Sequence, residues 1–454
     1  MLNFLLKTFL VLSVTLFTIS GAQAQAIGDT TLLTLDDCIR IGLENNIGLK
    51  TSMNNELIAK SNKMQSMMNF LPDLSAGLNY DFTFGTFFDQ SAFRQVSATT
   101  NTSDPFLRTT ATIFNGMNNH NNLKRRQNEL TAAEYGVESS TLDVKANVLT
   151  SYLNVILDKE NLKVANDRVQ LLQAQLDREA KRESVGVGNM ETVYNFRSQV
   201  ANEKLNKVRL ENQLKRDKLQ LLQLLQLDVT KPYKVAEVDI EAEDPLTEIE
   251  PYQSVLGASM DYSPSLKQAE ANQQASVYGF KQAKAGRYPT VNFFAQLGSR
   301  YSSNGARSPE SGDLIEDAPL ADQLDWNLYE YMNFSMNIPI FTRFQTNNTI
   351  QVAKLNMMNA EMFTRQTELD MVNTVQTVYL DLIAAQSTYN AAVENLEALE
   401  QSFSFVSKRY DTGNTDFYTY LESLNNKNRG EIELVNSRYS IVFRKKILDL
   451  YKGL

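Results

Sequence analysis

The chain has 454 residues, 43% of them apolar and 21% charged, with 10 prolines, one cysteine, one histidine and a formal net charge of −9. A single cysteine closes no internal disulfide, and a single histidine supplies neither a zinc cluster nor a Ser-His-Asp arrangement. An acidic chain without basic blocks argues against nucleic acid as a partner, and no residue pattern calls for a cofactor or a metal.

The first 24 residues read as a signal peptide. Lys7 stands in a weakly basic leader, residues 8–19 form an apolar run, and Ala22-Gln23-Ala24 gives a small-x-small cleavage pattern before Gln25. The run is shorter than the roughly 20 residues a spanning helix needs, and no later stretch meets that need.

Residues 34–69 predict a first helix, with Cys38 beside Leu35 and Ile39 where a small buried hydrophobe fits. The stretch "LPDLSAGLNYDFTF", residues 71–84, then changes period. Leu74, Ala76, Leu78, Tyr80, Phe82 and Phe84 alternate with Ser75, Gly77, Asn79, Asp81 and Thr83, which predicts a strand with one apolar and one polar face. A weaker, Thr-rich strand follows at 106–114. Phe82, Phe84, Phe87 and Phe88 gather near one strand end, as in an interfacial aromatic girdle.

His120, in the Asn-rich "NGMNNHNNLK", is expected to be exposed near a helix start. Residues 117–183 hold no proline and only Gly136 among glycines, which predicts one helix of about 100 Å. Leu162, Ala165, Val169, Leu172 and Leu176 recur at 3, 4, 3, 4, a coiled-coil seam. A turn at 184–190 containing Gly186 and a returning helix at 191–227 complete a hairpin.

Residues 228–263 form a proline-punctuated connector whose "EVDIEAED" run reads as solvated surface. Beyond it the chain is written again. Leu49-Lys50 and Pro72 match Leu266-Lys267 and Pro289 at a shift of 217; Phe114, "SYLNVI" and Gly186 match Phe341, "VYLDLI" and Gly413 at a shift of 227. The second half therefore predicts a helix at 264–285, strands within 288–341, a long helix at 343–410, a turn at 411–416 and a return at 417–451. Tyr389, Ala392, Leu396, Leu399 and Phe403 repeat the seam. Val291, Phe293, Ala295 and Leu297, then Met332, Phe334, Met336, Ile338 and Ile340, repeat the strand alternation, with Phe294 out of pattern. Trp326, Tyr329 and Tyr331 read as a second girdle group. The organisation is thus 1–24 signal peptide, 25–227 first repeat, 228–263 connector and 264–454 second repeat, a mainly α chain with a small β part. The loops near 89–104 and 304–326, which hold the length difference between the halves, are expected outside the cell.

Four strands with apolar outer faces do not close a barrel alone, since the smallest outer-membrane barrels use about eight. Several copies can. Here the chain resembles the TolC-type outer-membrane efflux proteins, through "LTLDDCIRIGLENNIGLK", the "LP" and "YP" entering strands, "IFNG" and "IPIF" leaving them, and the turns "RESVGVGNMETV" and "RYDTGNTDFYTYLES". The resemblance covers nearly all of the chain after the leader. It implies a homotrimer with a shared twelve-stranded β-barrel in outer-membrane lipid and an α-barrel across the periplasm. A periplasmic adaptor and an inner-membrane pump are its implied partners, with small molecules, ions or proteins as cargo of a tripartite efflux or type I secretion system. The alternative is a periplasmic coiled-coil adaptor or scaffold without a pore, although adaptors usually carry a β-rich domain absent here. An enzyme such as a glycosidase would need paired carboxylates in a pocket, and "EVDIEAED" is the only acidic cluster offered.

The resemblance also implies a gate at the hairpin tips. Carried over by position, its tyrosine is Tyr410 and its second acid Glu422, while the basic position is Thr415 and the first acid position Thr419. The facing positions are Glu191 and Thr192, and Gly186 and Gly413 are the turn glycines. Two departures from four leave the salt-bridge latch incomplete, and an acidic ring from three copies of Glu422 is expected at the mouth.

Overall fold

The computed structural model describes residues 31–97, 99–237 and 249–454. The leader, most of the "EVDIEAED" run and the side chains of Phe87 and Val96 lie outside the described residues. β1 (Thr31–Leu33) leads into α1 (Leu35–Asn45) and α2 (Ile47–Met68). Sequence periodicity predicted one helix there; Asn46 divides it, because its side chain accepts from Leu49 N at 2.9 Å and caps α2. α1 opens on a capping box between Thr34 and Asp37.

β2 (Ser75–Thr83), the hairpin of β3 (Thr86–Asp89) and β4 (Arg94–Ser97), and β5 (Thr100–Phe114) follow. α3 (Asn118–Ser184) and α4 (Met190–Leu224) form the first hairpin, and β6 (Tyr233–Val235) returns to pair in parallel with β1. α5 (Tyr252–Tyr262) and α6 (Pro264–Ala285) begin the second half. After β7 (Thr290–Gly298) come β8 (Tyr301–Ser302), β9 (Ala306–Arg307), β10 (Leu314–Ile315), α7 (Leu320–Trp326) and β11 (Tyr329–Asn337). α8 (Gln345–Asp411) and α9 (Phe417–Lys452) make the second hairpin. α3 and α8 each contain 67 residues, about 100 Å of unbroken helix.

The helices lie side by side in one layer. Near the sheet the order is α2, α3, α6, α8; near the hairpin tips α4 and α9 take the places of α2 and α6. Apolar side chains therefore bury in clusters strung along the length. The first joins Leu33, Cys38, Val148, Tyr152, Leu221 and Phe443, where burial, aided by the charge of Asp37, pushes the Cys38 thiol up to about 12. Cys38 is thus a packing residue, and His120 is exposed on the first turn of α3.

The two strand-connecting loops, which hold the length difference between the halves, fold together as a cap. Asp89 is its buried centre: it accepts from Ser302 Oγ at 2.6 Å, from Asn304 Nδ2 at 3.2 Å and from the backbone N–H groups of Ser91 and Ala92. Arg300 makes a two-pronged pair with Asp104 at 2.6 and 3.2 Å, and Arg94 pairs with Glu316 at 3.0 Å. Polar side chains at fixed positions, rather than an apolar core, define this cap.

Candidate functional site

The four main strands form an antiparallel sheet in the order β11-β7-β5-β2, with β8 attached to β5. Its register places Ala76 opposite Leu107, Leu107 opposite Leu297, Phe293 opposite Phe334 and Val291 opposite Met336. One face is therefore apolar across every strand. Leu78 is 65% exposed, Phe334 73% and Met336 64%. Soluble surfaces rarely carry an apolar face this wide, whereas hydrocarbon stabilises it. β2, β7 and β11 have nine residues each, the length a tilted spanning strand needs. No described helix is long and apolar enough to cross a membrane.

The opposite face is polar. Asn79, Asp81, Arg108, Gln296, Asn292, Asn333 and Ser335 share it by parity. Arg108 Nε donates to Ser75 Oγ at 3.2 Å, and Gln296 Nε2 donates to Tyr329 Oη at 2.8 Å. The Phe106 ring lies over Gly77, where a Cβ would come within 2.4 Å of it. Phe294, out of pattern in the sequence, meets Tyr331 on this face with ring centroids 6.0 Å apart. Tyr329 and Tyr331 are thus not girdle residues: alternation turns both to the side of Asn333 and Ser335. Trp326 ends α7, half-buried and off the sheet. Phe82, Phe84 and Phe88 are exposed.

At the far end, Gly186 and Gly413 turn the two hairpins at φ +77° and +76°, a backbone region that favours glycine. Tyr410 is buried in a cluster with Phe196, Phe417, Tyr420, Leu172 and Leu424 that ties the two hairpins together. Its ring stacks on Tyr420 with centroids 4.7 Å apart, and Arg178 lies 5.9 Å over it. Burial, reinforced by the charge of Glu179, pushes the Tyr410 phenol up to about 12. Thr419 helps cap α9, donating through Oγ1 to Asp416 at 2.7 Å, while Thr415 is half-buried. Glu422 and Glu191 are exposed and Thr192 is half-buried. Among the described residues no hydrogen bond or ion pair joins any two of the six carried-over positions. An ion pair that the sequence did not point to bridges the hairpins, Arg178 Nη1 to Asp411 Oδ1 at 2.6 Å. Beside it the buried Glu179 lies 3.6 Å from Arg178 and 3.5 Å from Arg182.

A wall with an apolar and a polar face, continued by a helical layer about 100 Å tall, is the geometry that comparison with known proteins meets. The family model described as "Outer membrane efflux protein" matches residues 45–226 and 255–449. The outer membrane protein TolC of Escherichia coli is 22% identical over 380 residues, covering 83% of this chain and 73% of its own length. Among solved structures, the outer membrane protein VceC of Vibrio cholerae superposes with a TM-score of 0.79 at 16% identity, covering 92% of this chain and 96% of that one. The CmeC outer membrane channel of Campylobacter jejuni gives 0.75 at 16% identity, with coverages of 92% and 85%.

Proposed function

The chain belongs to the outer membrane efflux protein family, and from that premise we propose how its geometry makes the conduit. It is an outer-membrane efflux channel of a tripartite system. We read its part as passive: the polar face offers a wet route past hydrocarbon, where an unsatisfied polar group costs several kcal/mol, and no catalytic step is required. Energy comes from an inner-membrane pump joined through a periplasmic adaptor.

The sheet that is apolar outside and open at both edges carries this reading. β2 and β11 each keep one unpaired edge and run in opposite directions. Within one chain β5 pairs with β7, and α3 packs on α6. A shift of 227 residues carries β5 onto β11 and α3 onto α8. The partners these then need are a β2 and an α2, which another copy supplies. Exposed Leu57 and Met64 on α2, with Val352, Leu355 and Met362 on α8, supply apolar surface for that contact. Three copies would close twelve strands, the number the resemblance implies. A scaffold without a pore leaves the apolar sheet face unexplained.

The tips, where Val185 and Val187 are 73% and 72% exposed, suit docking of the adaptor. The cap would then face outside the cell, and a tag belongs after Gly312, which has open space around it, rather than beside Asn304, which bonds to Asp89. Native mass and projection images of the detergent-solubilised protein test the reading. A three-fold tube is expected; a monomer that leaves membranes in a carbonate wash would overturn it.

A further inference from the structure

α3 and α4 each carry an Asp-Lys dipeptide at the same level, Asp158-Lys159 and Asp217-Lys218, and the two dipeptides face one another. The lysines reach outward to one target. Lys159 Nζ donates to Val235 O at 3.2 Å and to Glu237 Oε1 at 3.1 Å, and Lys218 Nζ donates to Tyr233 O. Both ends of β6 are thereby held to the hairpin. Tyr152 Oη adds a third tie, donating to Ala236 O at 2.8 Å.

The aspartates face each other instead. Asp158 Oδ2 is buried without a hydrogen-bond partner, and the Asp217 carboxyl faces it across the hairpin. Gln213 Nε2 donates to Asp217 Oδ2 at 3.0 Å. Two carboxylates in contact repel, so such a contact persists by holding a proton between them. Other charges are few: Arg216 on α4 opposes the shift of Asp158, and Lys159 and Glu160 follow on α3. Glu237 beyond β6 and Arg438 on α9 act on neighbouring Tyr439, while Asp36 on α1 acts on Tyr152 above.

We propose that Asp158 holds a proton against the Asp217 carboxyl and forms an acid-strengthened clasp, which closes the α3–α4 hairpin behind β6 and sets how firmly Lys159 and Lys218 hold that strand. Burial first, and then the Asp217 contact, raise Asp158 from an ordinary 3.8 to about 7. The sign follows from proton counting. Between those two values the closed clasp keeps its proton and the opened one loses it, so rising pH favours opening. Above about 7 both forms are deprotonated and the dependence ends.

Hydrogen exchange of the intact detergent-solubilised protein tests this at the β6 amides, after correction for intrinsic rates. The opening equilibrium should grow by up to about tenfold per pH unit below about 7 and then level off. Asp158→Asn, whose amide donates permanently to Asp217, should make it flat. Infrared absorption should show a protonated carboxyl that disappears around pH 7 and is missing in Asp158→Asn. A protection profile independent of pH in the unaltered chain, or a slope that survives in both Asp158→Asn and Asp217→Asn, would overturn the clasp. Exchange elsewhere in α3 monitors folding, so a variant that merely unfolds is recognised.

Discussion

The two repeats build one backbone from different side chains, and they differ most where the chain turns. At the exits from the sheet, Gly116 and Met117 have φ +63° and +70°, and their counterparts Arg343 and Phe344 have +48° and +66°. Only the first junction uses glycine. A Cβ on Gly116 would sit 2.8 Å from Ala285 O and 2.7 Å from Tyr288 Cβ, whereas Arg343 is exposed. Left-handed backbone costs an ordinary residue roughly 1–2 kcal/mol and is bearable; crowding against another main chain is what demands glycine. The tips differ similarly. Tyr410, Phe417 and Tyr420 stand where the first hairpin has Glu183, Met190 and Val193, and Phe196 stands where the second has Ser423. One aromatic cluster, drawn unequally from both hairpins, serves both tips.

Truncating the equivalent positions Tyr420 and Val193 should separate the tips most. Tyr420→Ala is expected to cost about 3–5 kcal/mol in denaturant unfolding, as large buried aromatics do, and Val193→Ala about 1–2 kcal/mol. Equal losses would mean that the cluster is not centred on the second hairpin. The Tyr420 hydroxyl is buried without a protein partner, so Tyr420→Phe should leave stability unchanged or raise it by up to about 1 kcal/mol.

The junctions give the next contrast. Gly116→Ala is expected to cost roughly 2–4 kcal/mol through crowding and left-handed strain, and Arg343→Gly to stay within about 1 kcal/mol. Comparable losses would remove the distinction. On the wall the repeats should instead agree. Leu107 and Phe334 are equivalent and both turn to the apolar face, so arginine at either should cost about 2–4 kcal/mol in membrane-embedded unfolding. Ser335→Arg repeats what Arg108 already does in the first half and should cost under about 1 kcal/mol. A tolerated Phe334→Arg would show that this face does not meet lipid.

What was legible in the sequence follows the same division. Period two and period 3.6 are repeated signals, and they placed the strands and the two 67-residue helices. Single-residue events were harder: Asn46 splits a helix by one side-chain hydrogen bond that periodicity does not register. Tyr329 and Tyr331 are readable from parity against Met332 and Phe334, a stronger sign than their closeness to Trp326 along the chain. The cap around Asp89 joins residues more than two hundred positions apart through polar contacts, and no periodic pattern announces such pairings. Arg178 and Asp411 lie equally far apart in sequence, and each reads alone as a solvated charge. Thr415 and Thr419 were named only through resemblance, which transfers positions and not contacts.

The smallest effect expected is at Glu422, whose counterpart in the first hairpin is Asn195. The other acids of this tip are committed: Asp411 pairs with Arg178, and Asp416 accepts from Thr419 Oγ1 and from the N–H groups of Tyr418 and Thr419. Those bonds, led by the one from Thr419, hold the Asp416 carboxyl below its usual range. Glu422 is exposed and has no ion-pair partner among the described residues, so its charge is available to a passing cation. Three copies around one mouth would form an acidic ring of the kind that favours cations. Glu422→Gln should leave stability unchanged and lower the cation preference of the channel in a planar bilayer by about twofold at low salt, with less effect as salt screens the ring. Asn195→Glu, which adds the missing acid to the other hairpin, should raise that preference. If neither substitution moves the reversal potential, Glu422 is a solvated helix residue. Tyr410, locked in the aromatic cluster, would then act on the tip through packing alone.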